Sequence, residues 1–536
     1  MPRAATAKTN QEVTIPAPIG GINTIASGVQ MPDTDCVFLY NMIPTGQGLR
    51  TRLGYSVFAP TYGKPALTII PYHGARIADD RLFFATEDGI YDSTSGSGAN
   101  NFTKLTFTAP GGRGVVQGFT TLGGHFLFYA DEINGLFRYT PGTGVWEQPN
   151  NITSSTGTYT FDVTKIVSVV SWNMRLWFVE KDSARAWYMT DAGAIAGTVT
   201  PFNFGSKFKT GGSLVGLACW TVDGGIGGMN DNLVAVSSAG DVVIYSGDIA
   251  TAGSFGVKGD WNVGAVPAGR RIFSDLGGDL LIMSYMGVFP ISKLLTGATV
   301  IDRVQYLTNK ISTLFAYYAS TRGSLPGWQI VQHPGDGAVM LLYPNGDATE
   351  QLVYSVVSKS WSVYRGLPML SAAVWQGKLY FSDPNSRICI NEGYVDNATG
   401  TPEDRKAIEF SGLTSSQNYG TPRLKQIHLI RPLFLSSSPS LSYAVEARYN
   451  FNSAEIGSIT AQQLPSAAQS LWDAALWDAA VWGGEANPGY SSGDTAMRLF
   501  GTTGLGSHAA IAFRGSAADR LTLVAFDVVY SMGGVL

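Results

Sequence analysis

The sequence predicts an all-β fold built around a β-propeller of about seven blades, with six to eight allowed by the spacing, and three observations predict it. First, one meander unit recurs: an apolar strand, a Gly/Asn/Asp turn, a second apolar strand, another turn and a third strand. Seven copies lie between Ala66 and Tyr394, and Leu82, Phe126, Leu176, Leu233, Leu280, Val339 and Leu379 serve as equivalent anchors, 40 to 59 residues apart. Their mean spacing, about 50 residues, is a propeller-blade period. Second, 64 Gly with 24 Tyr, 26 Phe and 12 Trp in 536 residues is turn-rich, aromatic β composition, which excludes a helical bundle. Third, apolar residues run consecutively in strands such as Arg81-Leu82-Phe83-Phe84-Ala85. A sheet covered on both faces has that pattern, whereas a half-exposed sheet alternates. Copies that cannot bury both faces alone stack radially until the ring closes, which removes their exposed edges.

The elements follow in chain order. Residues 1–60 lack the unit and carry Gly20-Gly21, Pro16, Pro18, Pro32 and Pro44 among short apolar runs, as an extended arm would, and are expected to dock on the C-terminal platform. Residues 61–400 hold the propeller. Val304, Leu307, Ile311, Leu314, Phe315 and Tyr318 follow helical spacing, so one amphipathic helix over 304–318 is expected between blades five and six, its apolar face against the propeller rim. Residues 401–536 drop the unit for longer strands, Gln426–Ile430, Ser442–Tyr449, Ala509–Phe513 and Leu521–Tyr530, and read as a β-sandwich-like platform domain.

Charge narrows the function. The chain has 36 basic and 40 acidic residues, 14% charged in all, against about 25% in an average soluble protein. A net charge of −4 without a basic run disfavours a protein that grips nucleic acid by neutralising phosphates. Cys36, Cys219 and Cys389 lie far apart with no CxxC, so neither a disulfide framework nor a zinc ribbon is expected. The first residues have no apolar targeting segment, and the longest apolar run, Leu214–Val222, is too short for a membrane span, so a soluble chain made in the cytoplasm is expected.

The chemistry search returns no catalytic constellation. His73, His125, His333, His428 and His508 are scattered without metal-ligand spacing, and no phosphate loop or nucleophile elbow occurs. The acidic turns Asp79-Asp80, Glu87-Asp88 and Asp131-Glu132 lack alternating calcium-ligand spacing and read as solvated turn tips. No enzyme, cofactor or metal site is therefore expected. The unusual local feature is Trp472, Trp477 and Trp482, spaced by five, a period of neither helix nor strand. Each indole is expected to fill its own pocket, in the domain core or at a subunit contact.

Two terminal stretches carry a resemblance. Gly20-Gly21-Ile22-Asn23-Thr24, Met31-Pro32 with Asp35, Leu39-x-Asn41, Pro44 and Arg50-x-Arg52-x-Gly54-Tyr55 open the chain; the Trp472/Trp477/Trp482 ribbon and Leu521–Tyr530 running into Gly533-Gly534-Val535-Leu536 close it. These motifs, about 60 residues in all, resemble the tail nozzle, or tail tubular protein B, group of short-tailed bacteriophages. The resemblance implies a virion-tail structural protein forming a sixfold homo-oligomeric ring below the tail adaptor protein. Tail fibres or spikes are further expected partners, and viral DNA passes through the lumen without specific binding. It makes Asn23, Asn41, Arg50, Arg52, Tyr55 and the three tryptophans candidate interface residues. A mildly acidic, sparsely charged chain suits such a conduit, because a basic lining would retain DNA through counterion release. The alternatives are a receptor-binding propeller and a propeller glycosidase or depolymerase acting on host surface sugars; the last needs two carboxylates about 5 to 10 Å apart.

Overall fold

A computed structural model describes residues 10–533 except 62, 97–101, 156–157, 224–228, 250–253, 296–305, 402, 437–440 and 458–498. The described chain is almost entirely β, and its centre is a propeller of seven blades. Blade one runs Thr68–Tyr72, Arg81–Thr86, Gly89–Asp92 and Phe102–Thr106 in a simple antiparallel meander, and blades two and four repeat that order. Blade three gains a fifth, outer strand, Ile152–Ser154, pairing parallel with Gly197–Asn203. Blade five has three strands from Phe273 to Pro290, and blade six has four from Gln329 to Met369.

The seven inner strands begin at Thr68, Gly114, Ile166, Leu214, Phe273, Gln329 and Ser371. Each blade meets the next around the axis, and blade seven returns to blade one. Apolar clusters seal the blade interfaces. Phe83, Tyr129 and Trp146 lie between blades one and two, Phe128, Phe178 and Trp187 between two and three, and Trp172, Trp177 and Tyr245 between three and four. Consecutive apolar residues are needed because alternate side chains enter different interfaces: Phe83 faces blade two, while Leu82 and Phe84 face blade seven.

Blade seven is closed by a strand from far upstream. Tyr55–Pro60 pairs antiparallel with Arg387–Asn391, after Ser371–Trp375 and Lys378–Asp383. The stretch expected to end an arm at residue 60 is thus the outer strand of the last blade, so the two ends of the propeller segment are tied by main-chain hydrogen bonds.

The rest of residues 10–54 is woven into the C-terminal domain rather than laid upon it. Asp35–Tyr40 pairs with Lys406–Thr414 and touches blade six at a parallel bridge between Tyr40 and Val363. One continuous ten-stranded sheet therefore runs from blade six into the platform. The second platform sheet combines Lys425–Ser436 and Leu521–Met532 with Gln11–Pro16, Met42–Thr45 and Gly48–Thr51. The two sheets pack as a sandwich through Phe513 against Phe526 and Phe410 against Phe434.

The helix lies between blades five and six, as expected, but later than the spacing placed it. Ser312–Arg322 is helical after a 3₁₀ turn at Asn309–Ile311, and residues 304 and 305 lie outside the described ones. Ile311, Phe315 and Ala319 are buried, Phe315 meets the Trp328 ring edge, and Tyr318 stacks on Tyr343 of blade six at 4.2 Å. Asp131 also departs from expectation. Instead of marking a solvated turn tip, its side chain is buried and accepts from the amides of Gly112, Ile133 and Asn134 and from Tyr129 Oη. A buried carboxylate persists here because its lone pairs are occupied.

Candidate functional site: the arm joint and the propeller axis

The opening motif residues converge at the joint of arm, propeller and platform. Gly20 and Gly21 are required by close approach: a Cβ on Gly20 would lie 2.0 Å from Asp35 Oδ1, and one on Gly21, at φ +70°, 2.6 Å from the Trp361 carbonyl oxygen of blade six. Buried Asn23 donates from Nδ2 to Asp35 Oδ2 at 2.8 Å, while its Oδ1 caps the amides of Ile25 and Ala26. Asp35 Oδ1 pairs with Lys310 Nζ at 2.9 Å, and the same ammonium donates to the Gly20 carbonyl. The arm is thereby bound to the turn that precedes the helix.

Asn41 and Arg52 form the centre of the joint. Asn41 adopts φ 57°, a conformation asparagine tolerates. Its Oδ1 accepts from Arg52 Nε at 3.0 Å and from the Arg365 amide at 2.7 Å, and its Nδ2 donates to the Glu409 carbonyl. Arg52, 1% exposed, grips Asp396 with both terminal nitrogens at 2.8 and 2.7 Å and donates further to the carbonyls of Leu53 and Arg365. Arg50 pairs with Asp336, whose side chain is fully buried and also accepts from Tyr364 Oη at 2.7 Å. Burial, reinforced by the Asp336 charge, pushes the Tyr364 hydroxyl well above its ordinary range, so it stays a donor. Tyr55 sits edge-on to Phe381 at 5.5 Å, and burial, with Asp396 next in weight, pushes its hydroxyl up to about 12.

These five residues thus direct their polar groups into the chain's own joint. Trp472, Trp477 and Trp482 lie outside the described residues. Sequence reasoning missed Asp336, Tyr364 and Asp396, the partners that make the motif arginines intelligible; they sit some 290 to 340 residues away, and nothing local marks them.

The second feature is a cavity of about 530 Å³ on the propeller axis, lined by inner strands of all seven blades. At one level it carries Cys219 and Asp275. Burial, followed by the charge of Asp231, pushes the Cys219 thiol up to about 11, which keeps it protonated and unsuited to nucleophilic work. Burial raises the Asp275 carboxyl above the usual range. Where the inner strands begin, the lining changes to arginine. Arg271 reaches across the axis, donating to Ser371 Oγ at 2.7 Å, Gln329 Oε1 at 3.1 Å and the Leu67 carbonyl at 3.3 Å, and so ties blade five to blades six, seven and one. Arg270 donates to the carbonyls of Leu214 and Val215 in blade four. The Arg270-Arg271 doublet directly before an inner strand was the only local sign of this feature. Among the described residues no group of three or more His, Cys, Asp or Glu side chains gathers as a metal site.

No family model and no curated protein matches the chain. Among solved structures, the chain is similar to the computationally designed Ika8 protein, at 9% identity and TM-score 0.35, and to the Cps50 (Swd1) beta-propeller domain of Myceliophteria thermophila, at 11% and 0.37. Each alignment covers 63% of this chain and 99% of the other. The propeller assignment itself rests on the order and closure of this chain's own seven sheets. No helix among the described residues is long and apolar enough to cross a membrane.

Proposed function

We propose that this protein is a structural subunit of a short-tailed bacteriophage tail: a nozzle protein that assembles as a sixfold ring beneath the tail adaptor, with genomic DNA leaving through the lumen between copies. Its place is then the virion tail, with fibres or spikes as further partners. The observation that carries the reading is the joint. The residues on which the resemblance rests fix the arm, blade six and the C-terminal sheets into one continuous body through buried, fully directed polar contacts. A stiff platform of that kind suits a subunit that transmits load within a ring. The work required of it is mechanical, and low surface charge favours broad subunit contacts, whose cores are depleted of charged residues.

The test is electron microscopy of the purified full chain mixed with the adaptor from the same virus, alongside an assay of polysaccharide cleavage. Sixfold rings with an open axis are expected. A chain that stays monomeric with the adaptor, is missing from finished virions, or cleaves host polysaccharide overturns the reading.

A further inference from the structure

The platform carries a second cavity, of about 380 Å³, that neither the joint nor the propeller axis uses. It lies between the arm loop that follows Asn23 and the turn that follows the strand Ser442–Tyr449, with Met31, Val37 and Leu413 among its walls and Ser416 and Ser453 in its polar lining. No charged side chain lines it among the described residues. Phe451 forms one wall from an unusual backbone: Asn450 and Phe451 both have positive φ, 52° and 64°, a conformation that is costly for a bulky aromatic residue. The turn brings the ring against the arm, where a Cβ on Gly28 would lie 2.5 Å from Phe451 Cδ1. The ring also meets His508 at 4.9 Å, yet Phe451 stays exposed, as do Ile25 and Val29 on the arm side. An exposed aromatic residue held in a costly conformation beside exposed aliphatic ones marks a contact surface.

The chain itself supplies an occupant. Arg448 Nε donates to the Ala454 carbonyl and Arg514 Nη1 to the Ile456 carbonyl, which fixes the stretch after Phe451. Ile456 is buried in one apolar cluster with Val37 and Leu413, two walls of the cavity. Residues 458–498 depart from Gly457, next to that cluster, and lead back to Phe500, which pairs with Ile430 in the platform. Forty-one residues thus join two points on one domain, where connections of about 4 to 6 residues are usual. They hold Trp472, Trp477 and Trp482, the first of them 15 residues past Gly457.

We propose that the cavity is the docking pocket for one indole of the chain's own Trp472/Trp477/Trp482 segment. Fifteen residues span up to about 50 Å when extended, far more than is needed to return to a pocket whose walls adjoin Ile456. The size suits one large aromatic side chain, because the cavity lies at the small end of the range of about 300 to 1,000 Å³ for ligand pockets. The chemistry suits it too: an indole brings an apolar face for Met31, Leu413 and Phe451 and a single N–H donor for the hydroxyls of Ser416 or Ser453. A tether of this length presents its indole at an effective concentration of order millimolar, so the pocket's own chain outcompetes a second copy at ordinary protein concentrations. One pocket serves one indole, which makes the three tryptophans inequivalent. The pocket lies within a single chain, and its filling does not depend on ring formation.

The experiment is hydroxyl-radical footprinting of the purified full chain, read residue by residue by mass spectrometry. One of Trp472, Trp477 and Trp482 should oxidise about tenfold more slowly than the other two, the protection of a side chain docked about nine-tenths of the time. Phe451→Ala removes a wall of the pocket from an exposed position and leaves the tryptophans in place, so it should bring the three rates to within about twofold of one another. The triple variant Trp472→Ala/Trp477→Ala/Trp482→Ala should in turn speed oxidation of Met31 and Phe451; if it fails to fold by circular dichroism, Phe451→Ala decides alone. Protection should persist through about a hundredfold dilution, because a contact within one chain is independent of concentration. Three indoles oxidising alike in the wild-type chain, a protected indole unmoved by folded Phe451→Ala, or unchanged Met31 and Phe451 rates in a folded triple variant overturns the proposal. So does protection lost on dilution, which would make a second copy the occupant.

Discussion

Replacing Arg52 by alanine tests the joint at its centre. Arg52 donates five hydrogen bonds, two of them to Asp396, from a position 1% exposed. Removing it leaves Asp396, itself 9% exposed, as a buried carboxylate without its cation, a change that costs about 3 to 5 kcal/mol. A 536-residue chain of several packed units does not unfold in two states, so a global melting curve is the wrong readout. Native-state hydrogen exchange is the right one, followed in Tyr55–Pro60, the strand that closes blade seven next to Asp396. At 1.4 kcal/mol per decade, its protection should fall roughly 100-fold to 4,000-fold in Arg52→Ala. The double variant Arg52→Met/Asp396→Leu removes both charges and should recover most of the loss, because an apolar pair of similar volume replaces a buried ion pair at little cost. A folded Arg52→Ala protein whose Tyr55–Pro60 protection changes less than about threefold, or a double variant worse than the single, would refute the claim that this pair holds the closing strand.

Two further outcomes follow from the same frame. Thr14 Oγ1 donates to Asp527 Oδ1 at 2.7 Å and Arg431 pairs with Oδ2, binding Gln11–Pro16 to Leu521–Met532. Partial burial pushes the Asp527 carboxyl up, but these hydrogen bonds and the Arg431 charge outweigh it and hold it below its usual value. A depressed folded value means the contribution is present above the unfolded value of about 3.9 and lost as pH falls through the lower folded one. Exchange protection of Gln11–Pro16 should therefore drop on acidification below about pH 4, and Asp527→Asn should abolish that step. Gly21→Ala should lower hydrogen-exchange protection around its own site well beyond what Gly346→Ala does around its turn: both have positive φ, but the Gly21 methyl would meet the Trp361 carbonyl at 2.6 Å, whereas nothing lies within 4 Å of Gly346. The open site should cost about 1 kcal/mol, so equal shifts in the two variants would show that the arm does not press on blade six.

The propeller was legible because its signal is local and repeated. All seven anchors, from Leu82 to Leu379, fall on the second strand of their blades, where burial on both faces forces unbroken apolar runs. What could not be read was anything closed over long distance. The fourth strand of blade seven is Tyr55–Pro60, some 330 residues from its partner, and without that pairing the stretch looks like the end of an arm. The helix pattern began too early because Leu307 precedes Thr308, where the chain still turns, and it ended too early because Thr321 and Arg322 are polar yet helical up to Gly323. At the joint, Arg50 and Arg52 are residue types that favour surfaces, and only the remote carboxylates Asp336 and Asp396 make their burial affordable. The C-terminal strands were read more fully, since Ser442–Tyr449 and Leu521–Met532 are long enough to declare themselves without partners.

The axial cavity also constrains how any conduit could be built. Its volume, about 530 Å³, is that of a small-molecule site. Arg271 crosses it, bonded to three other blades or their leads, so opening it would break the ties that keep the ring of blades together. A DNA duplex, whose major groove alone is about 12 Å wide, has no route through such a hole. Nor would a passage lined by Arg270 and Arg271 let phosphates slide freely, because a basic lining retains them. If this protein conducts DNA, the lumen must therefore be formed between copies, and the residues that line it must be sought on the outer surfaces of the blades and platform.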